Sequence, residues 1–63
     1  MTVTEARAEL EERQVYLVTT TDHMSLIGEY AGVDERGRLV FVPGPLAPLH
    51  VPPAKVVDFV RLS

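Results

Sequence analysis

Two arginines and two acids stand together near the middle of the chain, in the segment DERGR, residues 34 to 38. Arg36 and Arg38 can stack on a nucleobase or hold a phosphate, because the guanidinium group is planar and permanently charged. Asp34 and Glu35 can instead neutralise both cations in a solvated turn, where exposed ion pairs contribute little to stability. The segment therefore indicates either an anion-binding site or an ordinary charged turn.

The two histidines are the other residues that could do chemistry. Asp22 and His23 are adjacent in TTTDHM, a pairing that could serve acid–base chemistry or a metal, but such residues are also typical of turns. His50 lies between Leu49 and Val51, as expected for an edge strand or an interface. A catalytic base needs an orienting group and a pocket, and no third residue is implied by the spacing. With no cysteine, nucleophile motif, phosphate loop or metal signature, we predict no enzyme activity, no cofactor and no metal.

The size of the chain bears on how it reaches stability. A domain of 63 residues buries only about 60% of the surface that its unfolded chain exposes. Small domains usually add disulfides, a metal or association with other chains. Because cysteine is absent and apolar residues make up 46% of the chain, we predict a homo-oligomer.

The charge is −3 and unevenly distributed, with −2 in residues 1–14 and −1 in the remainder. Neither part has the basic surplus that makes nonspecific nucleic-acid binding strong. No segment approaches 18 uninterrupted apolar residues, and the acidic N-terminal segment lacks the apolar stretch of a signal peptide. We therefore expect a cytoplasmic protein that does not engage a membrane.

These residues must be positioned by a helix and several short strands. Thr2 and Glu5 have the spacing of a capping box, which predicts a helix over about residues 3–13.

From residue 14 the apolar period changes from helical to alternating, and QVYLVTTT predicts a strand with both faces covered. SLIGEYAGVD predicts a long second strand in which Gly28 and Gly32 mark a bend. Gly37 suits the left-handed position of the turn that leads into the third strand, RLVFV.

All five prolines fall between Pro43 and Pro53, so this segment predicts a loop with at most a short edge strand around LHV. AKVVDFVRL predicts the last strand, with Val56, Asp58, Val60 and Leu62 on one face. The fold class predicted is mainly β: a single domain over residues 1–63, in which a short N-terminal helix precedes a strongly bent, five-stranded antiparallel small barrel over about residues 14–62.

This pattern resembles the Sm-like family, which includes the bacterial RNA chaperone Hfq. The resemblance covers residues 4–62 and is carried mainly by Gly28, by AGVD at residues 31–34 and by VVDFVRL near the C-terminus. It implies a ring assembled through the fourth and fifth strands. The subunit interface would then include the following residues: Leu49, Val51, Val56, Val57, Phe59 and Val60. A similar curled pattern occurs in other Src-homology-type small barrels, such as the accessory domain of biotin-protein ligases.

The resemblance also assigns candidate RNA contacts. The first RNA-contacting motif of the family falls on Asp34 to Arg38, with Arg36 at the base-stacking position and Arg38 at the position of the base-reading asparagine. The second motif, Arg-Gly or Lys-His in family members, falls near Pro52 and Pro53, and His50 is the nearby candidate. Two functions are predicted: a non-catalytic adaptor that binds a protein partner or plays a structural role through the helix and the proline loop, and an RNA-binding ring that uses Arg36 and Arg38.

Overall fold

The computed structural model describes all 63 residues and shows one short helix followed by a five-stranded antiparallel sheet. Helix α1 spans Val3–Glu9. The strands are as follows: β1 Val15–Thr20, β2 Ser25–Val33, β3 Leu39–Val42, β4 Leu49–Val51 and β5 Val56–Arg61. A 3₁₀ turn over Pro53–Lys55 leads into β5. No helix has both the length and the apolar character needed to cross a bilayer.

Helix α1 begins as the sequence predicts and ends earlier. The Thr2 hydroxyl accepts from the Glu5 amide at 3.1 Å and the Glu5 carboxylate accepts from the Thr2 amide at 3.0 Å, so the capping box is confirmed. The predicted end near residue 13 is wrong, because Leu10 already has extended backbone angles. Leu10 turns into the core, where it is 6% exposed beside Ala6. Arg13 then donates its amide to the Tyr30 carbonyl at 2.9 Å, which ties this segment to the sheet.

The strand order is β4-β3-β2-β1-β5, so β4 and β5 form the two edges of the sheet. Each of the other three strands is paired on both sides. The core includes Ala6 of α1 and the following fully or almost fully buried side chains of the sheet: Tyr16, Val18, Tyr30, Leu39 and Phe41. On the opposite face of β1, Val15, Leu17 and Thr19 are only half-buried, so the two faces are not equally covered.

The glycines of β2 mark an irregular strand, as predicted, for two different reasons. A Cβ on Gly28 would lie 3.2 Å from the backbone carbonyl of Val42, so this glycine permits the close approach of β3. Gly32 has φ +103°, and the pairing of β2 with β3 shifts register between Tyr30 and Gly32. A bulge of this kind bends and twists the strand.

A second irregularity changes the faces of β5. The pairing with β1 shifts register between Thr19 and Thr20, where Asp58 faces Thr19 and Val56 faces Thr20. Val56 is therefore buried, while Asp58 is exposed. The predicted common face for Val56 and Asp58 is wrong, because the inserted residue Val57 interrupts the alternation.

Candidate functional site

The turn between β2 and β3 carries the charged segment singled out in the sequence. Asp34 donates its amide to the Arg38 carbonyl at 2.9 Å, and Gly37 donates its amide to the Asp34 carbonyl at 3.1 Å. Gly37 has φ +77°, a conformation that glycine adopts without a steric penalty. The turn predicted from DERGR is confirmed.

The Asp34 carboxylate organises this turn. Its Oδ1 atom accepts from the Arg36 amide at 2.8 Å and from the Arg38 amide at 2.9 Å. Its Oδ2 atom accepts from Nε of the Arg38 guanidinium at 2.8 Å. The Arg38 side chain is thereby held beside the carboxylate by a charge-assisted hydrogen bond.

The same carboxylate also reaches β4. Nδ1 of His50 lies 2.8 Å from Oδ2 of Asp34, although the two residues are 16 positions apart in the sequence. The contact forms because His50 pairs with Val40 in β3, next to the turn that carries Asp34. A carboxylate at this distance favours the proton on Nδ1, which leaves Nε2 directed away from Asp34 and available to a ligand.

These contacts shift the pKa of Asp34 well below its ordinary value. The largest cause is the hydrogen bond from the Arg38 amide, and the contacts with His50, the Arg36 amide and the Arg38 side chain act in the same direction. Partial burial opposes them by raising the pKa, and the hydrogen bonds outweigh it. The ionised carboxylate is therefore the form that the folded chain prefers.

Acidification is expected to destabilise the protein through Asp34. A carboxylate whose pKa is lower in the folded state contributes stability that is fully present above the unfolded pKa, about 3.9. That contribution is lost as the pH falls from about 4 toward the still lower pKa of the folded state. Thermal unfolding recorded from pH 6 to pH 2 should show a steeper loss of stability for the wild type than for Asp34→Asn. Identical slopes for the two proteins would contradict this role, and Glu35→Gln serves as the control for charge.

The cluster lines a shallow hollow of about 210 Å³ that contains no apolar side chain. Its lining residues are the following: Asp34, Glu35, Arg36, Arg38 and His50. Arg36 forms no ion pair, whereas Arg38 is bonded to Asp34. The hollow therefore offers two guanidinium donors, one unpaired and one anchored, and the Nε2 acceptor of one oriented imidazole, a combination suited to a ligand with both acceptor and donor groups.

Asp22 and His23 lie in the turn between β1 and β2 and do not form a comparable arrangement. Asp22 accepts a hydrogen bond from the Thr20 hydroxyl, and this bond is the main cause that lowers the pKa of Asp22. His23 has φ +62°, and its amide donates to the Thr20 carbonyl at 3.1 Å. Both residues act as turn residues here, and no group of three potential metal ligands forms in the chain.

The residues assigned to a subunit interface separate into three sets by their burial. Val57, Val60 and Leu49 are exposed by 64%, 51% and 43% on the two edge strands. Val51 and Val56 face the core and are buried. Phe59 is half-buried, with its ring 5.9 Å from the ring of Tyr16 in an edge-on arrangement.

A feature that the sequence did not reveal is a groove lined by residues of β1, β2 and β3. It has a volume of about 270 Å³, and its lining includes Val15, Ile27 and Val42. Ile27 is 55% exposed. The apolar residues on both faces of β1 are its only signal in the sequence, where they predict a covered face, and the structure leaves that face half-buried.

In comparisons with family models, with curated proteins and with solved structures, no match to this chain is found. The structure defines the class: a small, mainly β protein with one short helix, an antiparallel five-stranded sheet and a carboxylate-centred polar cluster at one turn.

Proposed function

We propose that the protein is a non-catalytic, homo-oligomeric interaction module of the Sm-like small-barrel type, which acts as a protein-interaction or structural adaptor. The observation that carries the proposal is the pair of unpaired edge strands in one sheet, both of which expose apolar side chains. An unpaired edge presents free backbone donors and acceptors that another strand can satisfy.

The small core supports association. Only 12 of 63 residues are buried within one chain, so the chain has few internal contacts to offset its conformational entropy. Leu49 on one edge and Val57 and Val60 on the other remain in water. Covering them in an interface would add the apolar burial that one subunit lacks.

The geometry of the two edges supports a head-to-tail arrangement. β4 and β5 are different strands on opposite sides of the sheet, so a contact between β4 of one copy and β5 of the next joins unlike surfaces. Repetition of such a contact closes into a ring when the rotation between copies allows it. These are also the strands to which the Sm-like resemblance assigns the subunit contacts.

Disruption of the β5 edge is expected to abolish assembly. Lysine at both positions, Val57→Lys and Val60→Lys, places two charges where the adjoining copy would pack, and charges on an edge oppose strand pairing. We expect a multi-subunit mass for the wild type in native mass spectrometry and in sedimentation velocity, and a monomer for the double variant.

The matched control is Met24→Lys. Met24 is 63% exposed in the turn between β1 and β2 and belongs to neither edge strand, so this variant should assemble like the wild type. A wild-type protein that stays monomeric and folded over a wide concentration range would overturn the assembly proposal.

RNA binding is the second candidate, and the polar hollow at the β2–β3 turn favours it. Arg36 and Arg38 both line the hollow, and His50 shares the Asp34 carboxylate with Arg38. Arginine can stack on bases and hold phosphates of a single strand. In a ring the hollow would be repeated in each subunit, and multivalency would strengthen a weak individual site.

Removal of both arginines tests this candidate. Arg36→Ala with Arg38→Ala is expected to weaken the binding of a single-stranded oligoribonucleotide at least tenfold, measured by fluorescence anisotropy at moderate salt. The control, Arg7→Ala with Lys55→Ala, removes the same charge from exposed positions outside the hollow. Equal binding by the wild type and both double variants would reject a role for these arginines.

A further inference from the structure

The backbone of β5 faces both β1 and the free side of the sheet. Leu62 donates its amide to the Val15 carbonyl at 2.8 Å, and β5 runs antiparallel to β1. In an antiparallel pair, alternate residues direct their backbone groups toward the partner strand. Counting back from Leu62 as far as Asp58, before the bulge at Val57, the residues that bond to β1 are even-numbered, so the amide of Phe59 points to the free edge.

The amide of Phe59 is not left unsatisfied. It donates to Oδ1 of the neighbouring Asp58 side chain at 2.9 Å. Asp58 forms no ion pair, and this contact is its only side-chain hydrogen bond. The carboxylate therefore already accepts the hydrogen bond that the Phe59 amide would have to donate to an added strand. Val57 and Val60, on either side of this contact in the sequence, are both exposed.

We propose that Asp58 is a brake on strand pairing at the β5 edge: its carboxylate competes with the backbone carbonyl of an incoming β4 strand from a second copy. When that strand adds, its carbonyl must take the Phe59 amide, and the displaced carboxylate is left beside another acceptor. Natural sheets commonly use charged side chains at edges to limit association. This inference rests on the proposed assembly through β4 and β5, and it names the residue that sets the strength of that contact.

The proposed effect of Asp58 on assembly differs from an effect of the net charge of the chain. Asp58 lies in the edge strand, whereas Glu29 is an exposed acid of the central strand β2 whose side chain makes no hydrogen bond or ion pair in the structure. Removal of either residue changes the net charge of the chain equally. Only the removal of Asp58 frees the edge amide.

The test compares the concentration midpoint of assembly in the wild type, Asp58→Ala, Asp58→Asn and Glu29→Ala, by sedimentation velocity over a dilution series. Circular dichroism establishes that each variant is folded. Asp58→Ala is expected to assemble at about tenfold lower concentration, equivalent to about 1.4 kcal/mol per contact at 25 °C. Asp58→Asn keeps an acceptor but loses the charge, so its midpoint should lie between those of the wild type and Asp58→Ala. Glu29→Ala should change the midpoint by less than twofold.

Each outcome has one meaning. Assembly of all four proteins at the same concentration overturns the proposal that Asp58 weakens the contact and leaves the proposed assembly intact. An equal gain for Asp58→Ala and Glu29→Ala also overturns it, because net charge alone would then explain the change. Should Asp58→Ala fail to fold, Asp58→Asn decides, and a midpoint equal to that of the wild type overturns the proposal. If all four proteins stayed monomeric throughout the dilution series, both the assembly proposal and the proposed role of Asp58 would be overturned.

Discussion

A protein that carries Gly28→Val is expected to lose about 3 kcal/mol of its free energy of unfolding, near the upper end of the usual cost of overpacking. Gly28 is buried, and an added Cβ would lie 3.2 Å from both the carbonyl carbon and the oxygen of Val42. It would also lie 3.3 Å from Cβ of Phe41. Because two of these three atoms belong to the backbone, no change of side-chain rotamer relieves the contact, and β3 must move away from β2.

Such a loss is large for a chain of 63 residues, whose total stability is roughly 3–9 kcal/mol at about 0.05–0.15 kcal/mol per residue. Urea denaturation followed by circular dichroism measures it directly. Gly28→Ala adds the Cβ alone and should cost about 1 kcal/mol. Ala31→Val adds two methyl groups at an exposed position of the same strand and should change the stability by less than about 0.5 kcal/mol. Equal stabilities for Gly28→Val and the wild type would show that β3 does not need this close approach.

Truncation of Tyr16 is expected to cost about 3–5 kcal/mol, the range for a large aromatic side chain in a core. Tyr16 is 2% exposed and packs edge-on against Phe59, so it joins β1 to the edge strand β5. Its hydroxyl accepts a hydrogen bond from the Glu11 amide at 2.8 Å, which also anchors the segment that follows α1. Tyr16→Ala therefore removes support from the core, from the helix connection and from the edge at once.

Tyr16→Phe separates these contributions, because it keeps the ring and removes only the acceptor. The Glu11 amide is then left without its partner, at an expected cost of about 1 kcal/mol. Thermal and urea denaturation of the two variants measure the difference. A cost for Tyr16→Phe as large as that for Tyr16→Ala would mean that the hydrogen bond, and not the packing of the ring, dominates.

Much of the fold could be predicted because the signals are local. Thr2 and Glu5 set the start of the helix through contacts three residues apart. Alternating apolar residues predicted the strands, and Gly37 predicted the turn after β2, since both depend on the backbone preferences of short segments. The prolines between residues 43 and 53 restricted β4 to three residues, because proline has no amide to donate to a strand pair.

The candidate site could be predicted only in part. Asp34, Arg36 and Arg38 are close in the sequence, so their meeting in one turn was expected. His50 was a candidate contact, but its partner could not be identified from a distance of 16 residues. The partner depends on the β3–β4 register, in which His50 faces Val40. Register is a property of two strands together and is not encoded in either one alone.

The sequence by itself determined the elements of this protein, their types and the turn residues that join them, because each depends on interactions within a few residues. The tertiary structure alone decided where α1 ends, which side of β5 is buried and which acid meets His50. Leu10 leaves the helix because burial in the core and the hydrogen bonds of the following segment to the sheet outweigh one more helical turn. The bulge at Val57, opposite Thr19 and Thr20, puts Val56 and Asp58 on different faces of β5, and this register exists only once β1 and β5 are packed together.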